Sequence, residues 1–293
     1  MGEAVGVLAA ILSSAFGGTA AAVTRFVVAS SDPITIAAFR FGVGFLLLLP
    51  VALLLKIRWP RGRDLAGIAL LGVMFFGAFF IVYNIAMAHT SAARGALALS
   101  TLPLQTMMVA ALLGAERLSL RKTLGVLIAM AGVAMALITG LAIAPPGAWR
   151  GDLIMLGGTL CMAFYNVWSR PFIARSGTLA YVTAGMGAGA AVLVLAAWLT
   201  GGFSLVHEFA AAQWIAMLYL GAFGGAAAFY LWVFALERTT PTRVANTMTV
   251  NPLAASILAK IILDESIGIS LIAGIGAVCV GIWIASTEAR PRT

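Results

Sequence analysis

Residues 86–94 read Ala86-Met87-Ala88-His89-Thr90-Ser91-Ala92-Ala93-Arg94, and 149 positions later residues 235–243 read Ala235-Leu236-Glu237-Arg238-Thr239-Thr240-Pro241-Thr242-Arg243. Continued without a gap, the same shift puts Pro103-Leu104 on Pro252-Leu253, Glu116 on Glu265, Gly125 on Gly274 and Gly132 on Gly281. Apolar helices match one another at Ala and Leu by chance. They do not readily match at Arg, Pro, Glu and two Gly in one register, so the chain carries an internal repeat.

The composition says what kind of repeat this is. Of 293 residues, 62% are hydrophobic and only 10% are Asp, Glu, Lys or Arg, where a soluble domain carries about a quarter. Lipid must serve as the solvent. Soluble enzymes, disordered tails and secreted disulfide scaffolds are excluded. The net charge of +8 sits in short gaps between apolar runs and forms no patch for nucleic acid. Cys161 and Cys279 lie inside apolar runs, where they read as packing residues; no metal-ligand spacing is present.

A helix needs about 20 apolar residues to cross the hydrocarbon core. Ten such runs lie near 4–29, 33–55, 65–88, 92–113, 121–141, 151–173, 178–200, 211–236, 242–263 and 268–286. The first is too long for a signal peptide, and its only early charge is Glu3. Basic residues crowd the even-numbered gaps: Lys56, Arg58, Arg61 and Arg63, then Arg117, Arg121 and Lys122, then Arg170 and Arg175, then Arg238 and Arg243. Arg290 and Arg292 follow in the tail, while the odd gaps and their edges hold only Arg25, Arg94, Arg150 and Lys260. The positive-inside bias then places both termini in the cytoplasm. The expectation is an all-α polytopic membrane protein of ten transmembrane helices. Residues 1–143 and 150–290 form its two five-helix repeats. Five is odd, so the second half enters from the opposite side, the ground plan of secondary transporters that work by alternating access.

Ten spans, two five-span repeats and the Pro…Glu…Gly…Gly pattern closing each half resemble the EamA family of the drug/metabolite transporter superfamily. Arg40 with Phe41 and Gly42, early in span 2, adds to the likeness, although span 7 has no matching Arg. The resemblance covers nearly the whole chain and looks most like the YddG-type aromatic amino-acid exporters. It implies export of amino acids, metabolites or drugs.

Candidate site residues follow from the cost of polar groups at membrane depth. Pro103 and Pro252 near the middle of spans 4 and 9 free the carbonyls of Leu99 and Met248, and such carbonyls must face protein or a wet cavity. Both prolines read as hinges or kinks. Ser100, Gln105, Asn246 and Asn251 flank them as substrate contacts or as helix–helix glue. Tyr83 and Asn84 on span 3, Tyr165, Asn166 and Trp168 on span 6, and Tyr230 on span 8 combine aromatic faces with polar atoms. That mixture suits an amphipathic neutral or zwitterionic ligand. Arg40 is the deepest cation, reading as a carbonyl cap or as a holder of a substrate carboxylate. Trp59, Trp149, Trp198 and Trp214 fall at span ends, as an interfacial belt does.

All ten acidic residues lie at span ends, in gaps or at a terminus. Without a carboxylate at a span centre, a proton relay and a cationic substrate are both disfavoured. The expected function is export of small amphipathic metabolites, aromatic and neutral amino acids first, by facilitated diffusion in the inner cell membrane. Lipophilic drugs or other metabolites, with or without proton coupling, are the second reading. Enzymatic chemistry, cofactors, bound metal, nucleic acid and an obligate protein partner are not expected; a small molecule and the bilayer are.

Overall fold

In a computed structural model, residues 2–27, 31–90, 92–136, 147–254, 257 and 269–286 are described. The side chain of Asn84, the second half of span 9 and residues 137–146 and 287–293 lie outside the described residues, as do Lys260, Glu265, Arg290 and Arg292. The regular elements are all helical: α1 (Gly2–Val27), α2 (Pro33–Leu54), α3 (Gly62–Gly72), α4 (Phe80–His89), α5 (Ala92–Leu99), α6 (Leu102–Leu112), α7 (Leu120–Ala136), α8 (Trp149–Ser176), α9 (Thr178–Leu199), α10 (Ala211–Tyr219), α11 (Ala228–Arg238), α12 (Pro241–Asn246) and α13 (Ile269–Ser286). Among the described residues, six helical stretches are long and apolar enough to cross a membrane.

Local chemistry sets the helix ends. Asp32 caps α2, its Oδ1 accepting from the Ile34 and Thr35 amides at 2.9 and 3.0 Å, with Pro33 in the first turn. Gly177, at φ 79°, separates α8 from α9, a backbone state that disfavours a side chain.

Two π-helical stretches interrupt otherwise α-helical runs. Val73–Phe79 joins α3 to α4, and Leu220–Ala227 joins α10 to α11. The 149-residue shift lays one over the other. Each meets a glycine of a helix from the other half. A methyl group built on Gly44 would lie 3.3 Å from the Gly221 carbonyl oxygen and 3.1 Å from the Ala226 nitrogen. One built on Gly189 would lie 2.8 Å from the Gly72 oxygen and 3.4 Å from the Gly77 nitrogen. Gly72 and Gly77 are the shift partners of Gly221 and Ala226, so the two contacts are one contact made twice. The α7–α13 pair repeats the logic. Gly125 meets Gly281, and Gly132 meets Gly274, with built methyls 2.7 and 2.9 Å from the opposing carbonyl oxygens. Exchanging the halves turns each of these contacts into the other.

The halves are also interleaved. Helix α1 packs on α10, α11, α12 and the π stretch between α10 and α11, all from the second half. Helix α8, the first of the second half, packs chiefly on α3 to α6. Helix α2 lies along α9. A buried aromatic core of Phe41, Phe75, Phe76, Phe79, Tyr165, Phe229 and Trp232 joins the interleaved sets.

Polar contacts gather at two ends. At one, Glu3 pairs with Arg243, which also donates to the Ala285 carbonyl at 3.2 Å. There Glu116 accepts from the Thr242 amide and from Lys122, both at 3.0 Å, and Arg175 pairs with Asp64 at 2.7 Å. At the other, Thr90 donates to Asp152 at 2.7 Å, and Gly202 lies against Asp32 and Thr35. Trp59, Trp149, Trp198 and Trp214 all stand exposed near helix ends.

The glycine contacts define a stability test. A Cβ at Gly125 or Gly281 strikes backbone, which cannot yield as a flexible side chain would. Gly125→Ala and Gly281→Ala are each expected to cost about 1–3 kcal/mol by overpacking, read as a lower thermal midpoint in detergent. Gly276, with open space around it, should tolerate Ala with no loss.

Candidate functional site

The two proline-bearing spans are not continuous helices. The span expected at 92–113 is α5 and α6 with a break at Ser100–Thr101, and Pro103 sits in the first turn of α6. There its missing N–H costs nothing, because first-turn amides have no intrahelical partner. In the second half, α12 ends at Asn246, Thr247–Thr249 form a 3-10 turn, and helix resumes at residues 250–254 around Pro252. Hydroxyls cover the carbonyls exposed at both breaks. Ser100 donates to Leu97 O at 2.7 Å and its shift partner Thr249 to Asn246 O at 2.6 Å. Thr101 donates to Ala98 O and Thr247 to Val244 O. Ser100 is therefore committed to its own backbone.

Along the second break runs a polar seam with α1. Ser14 and Thr247 share a hydrogen bond at 3.0 Å, and Ser13 donates to Ala228 O at 2.6 Å. Gly17 makes room for Asn251, whose Nδ2 would lie 2.8 Å from a methyl built there. Asn246 is 1% exposed, and neither its amide nitrogen nor its oxygen has a protein partner. A buried amide so placed costs about 1–3 kcal/mol per unpaired group. On α6, Gln105 donates to Thr101 and, at 3.4 Å, to Leu156 O, while its own oxygen stays buried and unpaired.

Arg40 lies across the π stretch of the second half. Its Nε and Nη2 donate to Gly224 O at 2.9 and 2.8 Å. Its guanidinium carbon lies 5.2 Å from the Phe80 ring centre, 5.5 Å from Phe41 and 5.9 Å from Phe229. Arg40 thus adds a charged donor to a carbonyl of the π turn while aromatic faces hold its charge. Half-buried Tyr83 packs beside Phe79 and Phe80 in the same neighbourhood.

Span 6 divides its three candidates. Asn166 is fully buried, accepting from Trp232 Nε1 at 3.0 Å and donating to Thr106 at 3.5 Å. It ties α8 to α6 and α11. Tyr165 is also fully buried and stacks on Phe75 with ring centres 4.3 Å apart. Trp168 points outward, 46% exposed, beside Phe164. Tyr230 lines a recess at the end of the bundle that carries Glu237 and Arg238.

The structure thus brings Asn251 to the α1 seam, buries Asn246 at the second break, and brings Arg40 and Tyr83 to the aromatic cluster and Tyr165 and Asn166 into the core. Trp168 and Tyr230 stand apart from all three groups. Sequence reasoning passed over Ser13, Ser14, Thr106, Thr247 and Trp232. The adjacent Ser13-Ser14 pair in an otherwise apolar run was the available signal. Among the described residues, no group of three or more His, Cys, Asp or Glu side chains is placed to hold a metal ion.

Known proteins place the chain. It is 22% identical over 281 residues to an uncharacterized transporter of Archaeoglobus fulgidus, covering 93% of this chain and 95% of that one. The uncharacterized inner membrane transporter YedA of Escherichia coli K12 is 27% identical over 80% of this chain and 76% of its own. A probable terminal-alkyne amino-acid exporter of Streptantibioticus cattleyicolor is 27% identical over 72% of this chain and 69% of its own. A solved crystal structure at 21% identity shares the fold with a TM-score of 0.78, covering 97% of this chain and 96% of that one. The EamA-like transporter family matches residues 4–138 and again residues 149–287. This multi-pass membrane protein is a transporter, not an enzyme, and belongs to the EamA-like transporter family.

Proposed function

We propose that the protein exports small amphipathic zwitterions, aromatic and neutral amino acids first, by alternating access. In this reading the chain crosses the inner cell membrane ten times as two inverted halves, with both termini in the cytoplasm. The substrate moves along the seam where α1, leaning on the second half, faces the helices gathered around α8. Export follows the gradient. The relative whose name includes an amino-acid exporter function supports the substrate class.

The observation that carries the reading is Asn246. Its amide offers one donor pair and one acceptor, buried at a helix break and unclaimed by protein. Broken helices at membrane depth are where secondary transporters hold substrate. Next to it along the chain, Thr247 and Asn251 meet α1 at Ser14 and Gly17 as neutral hydrogen-bonding groups, and the buried Arg243 one turn before it is already paired with Glu3. A site of amides and hydroxyls with no unpaired charge suits a ligand whose own charges cancel.

Purified protein in liposomes tests this with labelled phenylalanine and a panel of other amino acids and drugs. Saturable flux that stops when substrate is equal on both sides, and that ignores an uncoupler, is expected. Accumulation against a gradient that an uncoupler abolishes contradicts the passive mechanism. Absence of flux for every amino acid contradicts the substrate class.

Variants separate site from scaffold. Asn246→Leu should cut flux at least about tenfold yet raise the thermal midpoint, because replacing an unpaired buried polar group with an apolar one removes its desolvation cost. Asn166→Ala should lower the midpoint by about 1–3 kcal/mol of stability through the orphaned Trp232 N–H. Trp168→Ala should change neither.

A further inference from the structure

The recess that contains Tyr230 lies away from the seam. It has a volume of about 320 Å³ and opens between the end of α2, the start of α9 and one face of α11. Tyr230 and Phe234, one turn apart, form an aromatic wall opposite Leu55, Ile57 and Leu179. Two opposite charges, Glu237 and Arg238, sit at its rim. We propose that this recess is a second binding site, a peripheral loading site for a small zwitterion with a flat apolar group, of which an aromatic α-amino acid is the simplest case. The proposal rests on the orientation and substrate class argued above, which put the recess on the cytoplasmic side.

The charges are arranged for such a ligand. The Arg238 guanidinium lies over the Phe234 ring, 3.5 Å from its centre, and its Nη1 donates to Phe234 O and to Glu237 Oε2. Thr178 donates to that same Oε2 at 2.5 Å. Every hydrogen bond in place at Glu237 thus falls on one carboxylate oxygen. Oε1 of Glu237 and Nη2 of Arg238 make none of these bonds, one an acceptor and one a donor at the rim of the recess. An α-ammonium on the first and an α-carboxylate on the second leave the ring against Tyr230. The first turn of α9 adds its amides, since its N-cap is Gly177 and offers no side chain. The pair is about one-third exposed, and an ion pair of that kind contributes little to stability. The volume falls at the small-molecule end of ligand pockets, roughly 300–1,000 Å³, and the recess is open on one side.

The recess also lies beside the polar contacts at this end of the bundle rather than among them. Glu3, Glu116 and Arg243, which knit that end around α12, are absent from its lining. It can therefore be filled before the seam opens, raising the local concentration of cargo where an exporter collects it.

Alkylation protection reads occupancy without reference to transport. The full chain carrying Cys161→Ser, Cys279→Ser and Leu179→Cys is placed in nanodiscs and treated with a water-soluble maleimide. Phenylalanine at about twice its dissociation constant should slow labelling of the new thiol about threefold. Phenethylamine, lacking the carboxylate, and 3-phenylpropionate, lacking the ammonium, should protect much less. Protection should vanish when Glu237→Gln and Arg238→Gln are added together, with the thermal midpoint unchanged. No protection by phenylalanine overturns the proposal. Equal protection by all three compounds also overturns it, as does protection that follows phosphatidylethanolamine content rather than amino acid. Protection without flux in liposomes would retain this site and remove the transport reading; flux without protection would do the reverse.

Discussion

Backbone approaching backbone at glycine is the contact on which this architecture depends. Lipid tails are as apolar as leucine, so helices in a membrane gain little from hiding apolar surface against each other. Close van der Waals fit must hold them instead. Gly125 with Gly281, Gly132 with Gly274, and Gly44 and Gly189 with their π turns all permit that fit. Each contact has a counterpart related by exchange of the halves. In the proposed rocking mechanism, such paired contacts give two equivalent ways to lean, each contact that loosens on one side having a partner able to tighten on the other. Smooth glycine surfaces also present few side-chain barriers to sliding.

The polar chemistry follows from the same constraint. Where α2 lies against a π turn, Arg40 donates to a carbonyl of that turn, at Gly224. Breaking spans 4 and 9 exposes further carbonyls, which Ser100, Thr101, Thr247 and Thr249 cover from one turn away. The hydroxyls at both breaks are thereby used by the protein itself. Asn246 differs in that both its donor and its acceptor are buried unpaired, and such an amide at a helix break is where a polar cargo has something to gain. Asn166 shows the opposite case, with an amide of the same kind consumed by Trp232 and Thr106.

Much of this fold was legible in the residues. Apolar run length located helices, and the shift of 149 found the repeat because Arg, Pro, Glu and two Gly coincide in one register, which chance matching of Ala and Leu does not produce. Which helix touches which was not legible: α1 leaning on the second half has no local sequence signature. Nor were the π stretches, since a π turn differs from an α turn only in how tertiary contacts redirect its hydrogen bonds. The site was legible by residue type and not by role. Tyr165, Asn166 and Trp168 sit within four consecutive positions, yet helix geometry sends two into the core and one outward. The prolines pointed to the breaks, but the serines and threonines that stabilise those breaks look ordinary in sequence.

The central claim is that two interleaved halves rock so that opening one end closes the other. Helices α1 and α8 carry exposed positions at both ends: Val5 and Ala174 at the end of the Glu3–Arg243 pair, Phe26 and Trp149 at the opposite end. Spin labels at Val5 and Ala174 in one protein, and at Phe26 and Trp149 in another, allow both separations to be measured by pulsed electron–electron resonance with and without saturating substrate. The account predicts that substrate shifts the two distance distributions in opposite senses, one lengthening as the other shortens. Distances that move together, or that both stay fixed while the labelled proteins transport, would contradict it.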